Sequence, residues 1–456
     1  MPSHVTILGA GLAGLSCSYH LGHENCTIFE GKDHLGGHIY THQNNGFLWD
    51  EGPHVSFTKN DYVADFFAKS VGQKYQEFPV EISNYFKDQW IPHPAQNNLY
   101  AVPEPLRTQC LNDFLKIQDK VHLNQNPKNY LEWLELAFGK TFTQNFSTPY
   151  TKKYWTVDPS QLDLDWVGER VYFPKIEEVK SGYLSYQGSK GHYINKVRYP
   201  DSGGYFSYAN LLKQGANYLL NHSVTRIDLK EKLIAFENGV IHRFTKLINT
   251  IPLPEFVVLA NAPAEVLEAT KKLYCTSLLL VNVTGNHKNL KPYHWMYVYD
   301  AEKLSTRINC IELLSANNSP SGSTGIQVEV YESKLSPFRL SHEEIANKVC
   351  EELIQMGLLI NFTSAHTHYI PYANVIFDCD RRHYQNIVLD WLSEFGLTRE
   401  VDDLDPMTDW RESKNSCLQS DGSIFLAGRF GQWKYFWSDD CLLRGQRIAK
   451  CIHAQD

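Results

Sequence analysis

Val5-Thr6-Ile7-Leu8-Gly9-Ala10-Gly11-Leu12-Ala13-Gly14, and after it Cys26-Thr27-Ile28-Phe29-Glu30, decide the fold. Val5 to Leu8 read as a short, fully buried strand. The glycine turn follows, a helical pattern runs through Leu21, and a second strand ends on an acid. Each glycine has a steric task. Gly9 permits the tight turn, Gly11 lets the backbone approach a pyrophosphate, and Gly14 allows the helix to pack closely on the strand. The free N–H groups at the helix start attract phosphates, and Glu30 is placed to accept hydrogen bonds from a ribose diol. Strand, glycine turn, helix, strand and terminal acid together predict a dinucleotide site opening a doubly wound sheet.

Around this unit lie 456 residues with 43 Lys+Arg against 51 Asp+Glu, a formal net charge of −8. That length supports a large core and either two to three domains or one α/β body with insertions. An acidic balance without a basic tract counts against a nucleic-acid partner. The ten cysteines show no C-x-x-C pair and no metal-finger spacing, so they are expected to be free thiols of a reducing compartment. Met1-Pro2-Ser3-His4 has no positive leader, and the longest apolar run, Leu278 to Val283, is far short of a bilayer span. A soluble, cytoplasmic protein without membrane insertion is expected.

Further along, Tyr62 to Gly139 reads as mostly helical, broken by Pro92, Pro94, Pro103 and Pro105. Val224–Ile227, Leu233–Phe236 and Leu247–Thr250 read as short strands, with a turn at Asn238-Gly239. Leu273–Val283 and Gly325–Tyr331 suggest a second sheet, separated by a Ser/Asn/Gly/Pro loop. His342–Met356 is an amphipathic helix, and Ile424–Gly428 is a buried strand. His366-Thr367-His368 invites a metal reading, but two histidines without nearby partners mark a strand face, and no metal is expected.

Asp33-His34-Leu35-Gly36-Gly37-His38-Ile39 places a second glycine pair just after the acid. Here the chain resembles the FAD-binding superfamily of amine oxidases, protoporphyrinogen oxidase and UDP-galactopyranose mutase. Asn249-Thr250-Ile251-Pro252 and Leu426-Ala427-Gly428 are similar to that superfamily's strand end and C-terminal flavin strand. The resemblance implies FAD, held by Gly9, Gly11, Gly14, Glu30, Gly36, Gly37, His38, Gly428 and Arg429. It implies an α/β fold: a Rossmann-type FAD-binding domain with a helical insertion and a second, mainly antiparallel sheet domain. The FAD-binding domain would comprise 1–60, 191–255 and 415–456. The helical insertion would span 61–190 and the sheet domain 256–414.

Five segments resemble the mutase branch in particular. Asp50-Glu51-Gly52-Pro53-His54 is similar to the loop whose histidine lies against the flavin ring. Trp90 to Asn98 resembles a uracil-contacting segment, implying Gln96 and Asn97 as substrate residues. Thr148 to Trp155, followed by Trp166 to Val171, resembles the uridine-stacking helix and its pyrophosphate arginine. This implies Thr151, either Tyr150 or Trp155 as platform, and Arg170. Trp295-Met296-Tyr297 with Arg307 is similar to the stretch carrying a second such arginine. Gly428 to Tyr435 resembles the Gly-Arg-Phe-Gly-x-Trp-Arg-Tyr element, bringing in Lys434 and Tyr435. Tyr372 is a partial match to a Gly-Tyr-Pro segment. Taken singly, these residues have plainer readings as a loop histidine, core aromatics and surface ion-pair arginines.

The resemblance implies an isomerase that interconverts pyranose and furanose forms of an NDP-sugar, UDP-galactose or a relative, through a sugar adduct on N5 of reduced flavin. His54, Arg170, Arg307, Tyr372 and Tyr435 would be its catalytic residues. Forked arginines suit a diphosphate, and tyrosine hydroxyls bind polar groups without adding charge. A reductant such as NAD(P)H would be needed, and an oligomer is compatible with the surface helices. Departures at Lys434, at Phe436 to Cys441 and at Thr151 (asparagine in eukaryotic mutases) imply a retained nucleotide diphosphate but a sugar that need not be galactose. The alternative is an FAD-dependent oxidoreductase of the amine oxidase or protoporphyrinogen oxidase type.

Overall fold

Five parallel strands form the first sheet, in the order Ile424–Leu426, Lys246–Asn249, Val5–Leu8, Cys26–Phe29 and Tyr218–Leu219. The computed structural model describes residues 4–118, 126–188, 196–286, 292–405, 408, 410–411 and 422–455. Val5–Leu8 is buried throughout, as a central strand covered on both faces must be. Helix Leu12–Leu21 follows it and packs against the C-terminal helix Ser438–Gln455. Contact between those helices depends on Gly445, where an added Cβ would sit 2.4 Å from Ser16 Oγ.

The second sheet has seven strands, in the order Asn361–Val375, Cys275–Asn286, Thr324–Ser333, Arg307–Cys310, Trp295–Val298, Ile82–Phe86 and Gln89–Pro92. All neighbours are antiparallel except Trp295–Val298 and Ile82–Phe86. The last two strands, with Tyr75–Pro79, correct the expectation that Tyr62 to Gly139 is mostly helical. Lys87 and Asp88, both at positive φ (47° and 61°), make the tight turn that folds Ile82–Phe86 back on Gln89–Pro92. The sheet therefore recruits residues from the stretch expected to be a helical insertion. Elsewhere in that stretch the described residues form helices at Asp61–Ser70, Leu106–Gln118, Tyr130–Phe138, Thr148–Tyr154 and Ile176–Leu184.

Alternation along Thr324–Ser333 assigns the faces of this sheet. Ile326, Val328 and Val330 join Ile345, Val349 and Leu353 of helix His342–Gln355 in one core. Each such buried aliphatic side chain is worth about 1.5–3 kcal/mol relative to exposure. Gln327, Glu329 and Tyr331 occupy the other face, and Glu329 and Tyr331 open onto the cavity between the sheets. Among the described residues eight cysteines are free, but Cys451 is disulfide-bonded, so the expectation of free thiols throughout does not hold. Among the described residues no helix is long and apolar enough to cross a membrane.

Candidate active site

A cavity of about 1130 Å³ runs from the glycine turns to the inner face of the second sheet. Pockets for single small ligands span roughly 300–1,000 Å³, so this one has room for a dinucleotide and a second molecule. At one end, Gly9, Gly11, Gly36 and Gly37 present bare backbone. Gly36 N–H donates to the Ala10 carbonyl (2.9 Å), and a Cβ on Gly37 would lie 3.0 Å from Gly11 Cα. Helix Leu12–Leu21 starts here without a side-chain cap, so its first N–H groups are available to an anion. Glu30 Oε2 accepts from Ala10 N–H (2.7 Å) and Oε1 from Lys32 N–H (2.9 Å). A carboxylate has further lone pairs for a diol. Gly428, at φ 83°, lies against Ala13 of the same helix.

His54 stands in the middle of the cavity wall. Its Nδ1 lies 3.1 Å from the Gly52 carbonyl, an obligate acceptor, so Nδ1 carries the proton and Nε2 is left as an acceptor. Burial, with the nearby His38 charge, lowers its pKa to about 4, so the ring is neutral at pH 7. Beside it, Glu51 is the hub of three imidazoles: His38 and His42 at 3.3 Å and His368 at 3.5 Å. Burial would raise its carboxyl, but hydrogen bonds from His368, His38 and His42 outweigh that and hold it far below the carboxylate range.

The far wall is tyrosine and arginine. Tyr150, Tyr154, Tyr297, Tyr299, Tyr331, Tyr372 and Tyr435 all line it. Burial pushes the hydroxyls of Tyr150, Tyr154 and Tyr331 well above their ordinary range, so they remain neutral donors. Arg170 and Arg429 both lie over the Tyr435 ring, with guanidinium carbons 4.7 and 4.6 Å from its centroid. Arg170 also donates to the Trp166 and Tyr435 carbonyls (3.1 and 2.9 Å). Arg429 is held by Asn374 Oδ1. Arg307 forks onto Glu329 through Nε and Nη2, both at 2.6 Å, and Tyr331 OH donates to the same carboxylate at 2.9 Å.

Of the residues singled out from sequence, His54, Arg170, Arg307, Tyr372, Tyr435, Gln96, Tyr150, Thr151 and Trp155 all line this one cavity. So do Gly9, Gly11, Glu30, Gly36, Gly37, His38, Gly428 and Arg429. Three do not. Gly14 is a packing glycine: an added Cβ would meet Gly9 O at 2.0 Å. Asn97 is turned into the seam where Gly182 packs on its backbone, and an added Cβ there would lie 2.1 Å from Asn97 O. Lys434 is buried behind the wall on Asp402 (2.9 Å) and Asp403 (2.5 Å). Sequence reading passed over Glu51, Glu329, Tyr154 and Tyr331, and set His368 aside as a strand-face residue, yet all five line the cavity. Polar Gln327 and Glu329 alternating with Ile326, Val328 and Val330 were the available signal for Glu329.

A family model described as flavin containing amine oxidoreductase matches residues 12–453. The chain belongs to that family. FAD is its cofactor, and the bare glycine cradle, the uncapped helix start and Glu30 fit the dinucleotide. Among curated proteins, this chain is 25% identical over 193 residues to protoporphyrinogen oxidase 2 of Arabidopsis thaliana, covering 40% of this chain and 37% of that one. It is 36% identical over 90 residues to L-amino acid oxidase Cdc18 of Crotalus durissus cumanensis, covering 19% and 16%. These matches span less than half the length of either relative. A crystal structure of reduced UDP-galactopyranose mutase superposes with TM-score 0.87 at 23% identity, covering 99% of this chain and 93% of that one. The shared fold, with its parallel sheet and its antiparallel-rich sheet, is the one expected from sequence.

Proposed function

We propose that this amine oxidoreductase homologue is a flavin-dependent isomerase that interconverts ring forms of an NDP-sugar, with UDP-galactose or a close relative as substrate. The observation that carries this reading is the pair of arginines, Arg170 and Arg307, on one tyrosine-walled cavity beside His54. Two cations with forked donors suit a diphosphate, and a wall of neutral hydroxyls suits a sugar. Bound FAD supplies N5, a nucleophile when reduced and a hydride acceptor when oxidised. Arg170, rigidly stacked on Tyr435 and Trp437, would offset the charge of UDP as it departs and hold it for return. His54, its pKa lowered to about 4, has an unprotonated Nε2 that can accept a hydrogen bond but not supply a proton at neutral pH. Gln96 and either Tyr150 or Trp155 would receive the base.

A second reading, an FAD-dependent oxidoreductase, is favoured by one observation: Glu329 already neutralises Arg307, which lowers the affinity of that wall for an anion. The deciding experiment mixes dithionite-reduced protein anaerobically with UDP-, dTDP- and GDP-hexoses and cyanoborohydride, then weighs the released flavin. A gain of one hexose mass supports the isomerase and names the sugar. Unmodified FAD across the panel transfers support to the oxidoreductase, to be followed by an amine screen for oxygen-dependent recovery of the flavin spectrum.

A further inference from the structure

We infer that His42, His368 and Glu51 form a binding site for one divalent transition-metal ion, with zinc(II) the best fit. The three come from separate segments: strand Thr41–Asn44, the residue after strand Phe47–Asp50, and strand Asn361–Val375. Their ligand atoms all lie within 4.8 Å of one another. His42 Nε2 and His368 Nε2 both face the same carboxylate oxygen, Oε1, at 3.3 and 3.5 Å. Those separations are long for charge-assisted hydrogen bonds, which run about 2.7–2.9 Å. They match the ligand-to-ligand edge of a tetrahedron with metal–ligand bonds of about 2.0–2.1 Å, which is roughly 3.3 Å. The two imidazole rings are close, with centroids 4.3 Å apart and planes tilted by 49°, and both Nε2 atoms already face Glu51 Oε1.

The Glu51 side chain is 2% exposed and is oriented further by His38, whose Nδ1 stands 3.3 Å from its other oxygen, Oε2. A ligating carboxylate held in this way by an outer hydrogen bond is a usual feature of metal sites. Two nitrogens and one oxygen suit a borderline cation such as zinc or ferrous iron, and not magnesium or calcium, which take oxygen sets. Glu51 and His368 line the cavity. The remaining coordination position therefore faces it and is open to water or to an oxygen of a bound molecule.

The test uses the untagged, flavin-loaded full chain, stripped with chelator, incubated with zinc chloride and gel-filtered before metal analysis. About one zinc per chain is expected, with two imidazoles in the X-ray absorption spectrum. His42→Ala and His368→Ala should each lose it, whereas His366→Ala, on the same strand, should keep it. Zinc should also raise the melting temperature of the wild type but not of Glu51→Gln, a readout that survives if the alanine variants fold poorly. Absence of stoichiometric zinc in the wild type, or equal retention by His42→Ala, overturns the assignment and leaves a hydrogen-bonded histidine clamp.

Discussion

Replacing Glu329 by glutamine tests whether Arg307 holds a diphosphate. The carboxylate is 2% exposed, takes both Nε and Nη2 of Arg307 at 2.6 Å, and accepts from Tyr331 at 2.9 Å. Nη1 is left to face a ligand. An anion bonded there would stand roughly 6 Å from the carboxylate, where like charges repel by about 3 kcal/mol at an effective dielectric of about 20. Glutamine keeps an acceptor for the guanidinium but removes this repulsion. With allowance for screening, UDP should bind about tenfold to a hundredfold more tightly to Glu329→Gln. Titration calorimetry on the reduced protein at two ionic strengths is the assay, and the gain should shrink with salt. Arg307→Met is a poorer single probe, since it strands a buried carboxylate at a cost of about 3–5 kcal/mol in stability. Combining it with Glu329→Gln should restore most of that. Unchanged or weaker UDP binding by a well-folded Glu329→Gln would refute Arg307 as an anion contact.

Arg170→Ala should weaken UDP binding at least tenfold in the same calorimetric assay and leave flavin content intact; unaltered affinity would move the diphosphate elsewhere. Gly14→Ala puts a Cβ 2.0 Å from Gly9 O, with no side chain able to yield, so purified protein should carry little flavin and melt earlier. Lys434→Met should lower stability by about 3 kcal/mol in urea, by taking the cation from Asp403 while Asp402 keeps Arg444 (2.8 Å), and leave UDP affinity unchanged. His54, with its pKa lowered to about 4, binds its proton more readily in the unfolded chain. Stability from this group is therefore present above about pH 6.5 and lost as pH falls towards 4, by up to about 3 kcal/mol. His54→Gln should flatten that part of a stability-versus-pH curve.

What could be read from sequence was what short-range sterics impose. A glycine that must turn at φ 95°, one that must let backbone touch backbone, and one that must admit a helix lie within six residues, Gly9 to Gly14. No distant contact can substitute for them, so the cofactor cradle and the parallel sheet were legible. The runs at Val5–Leu8, Cys26–Phe29 and Ile424–Leu426 were equally plain, because a strand covered on both faces is mostly apolar along its length. Tertiary pairing decided the rest. Ile82–Phe86 and Gln89–Pro92 are strands because Trp295–Val298 offers them an edge, and nothing local announces that partner. Lys434 looked like a substrate contact until Asp402 and Asp403 were found behind the wall. Glu329 gained its meaning from Arg307, 22 residues earlier in the chain, and Glu51 from His368 on the edge of the other sheet. A charge's role depends on which opposite charge the fold delivers to within about 4 Å, and that distance is set by the folding of whole sheets.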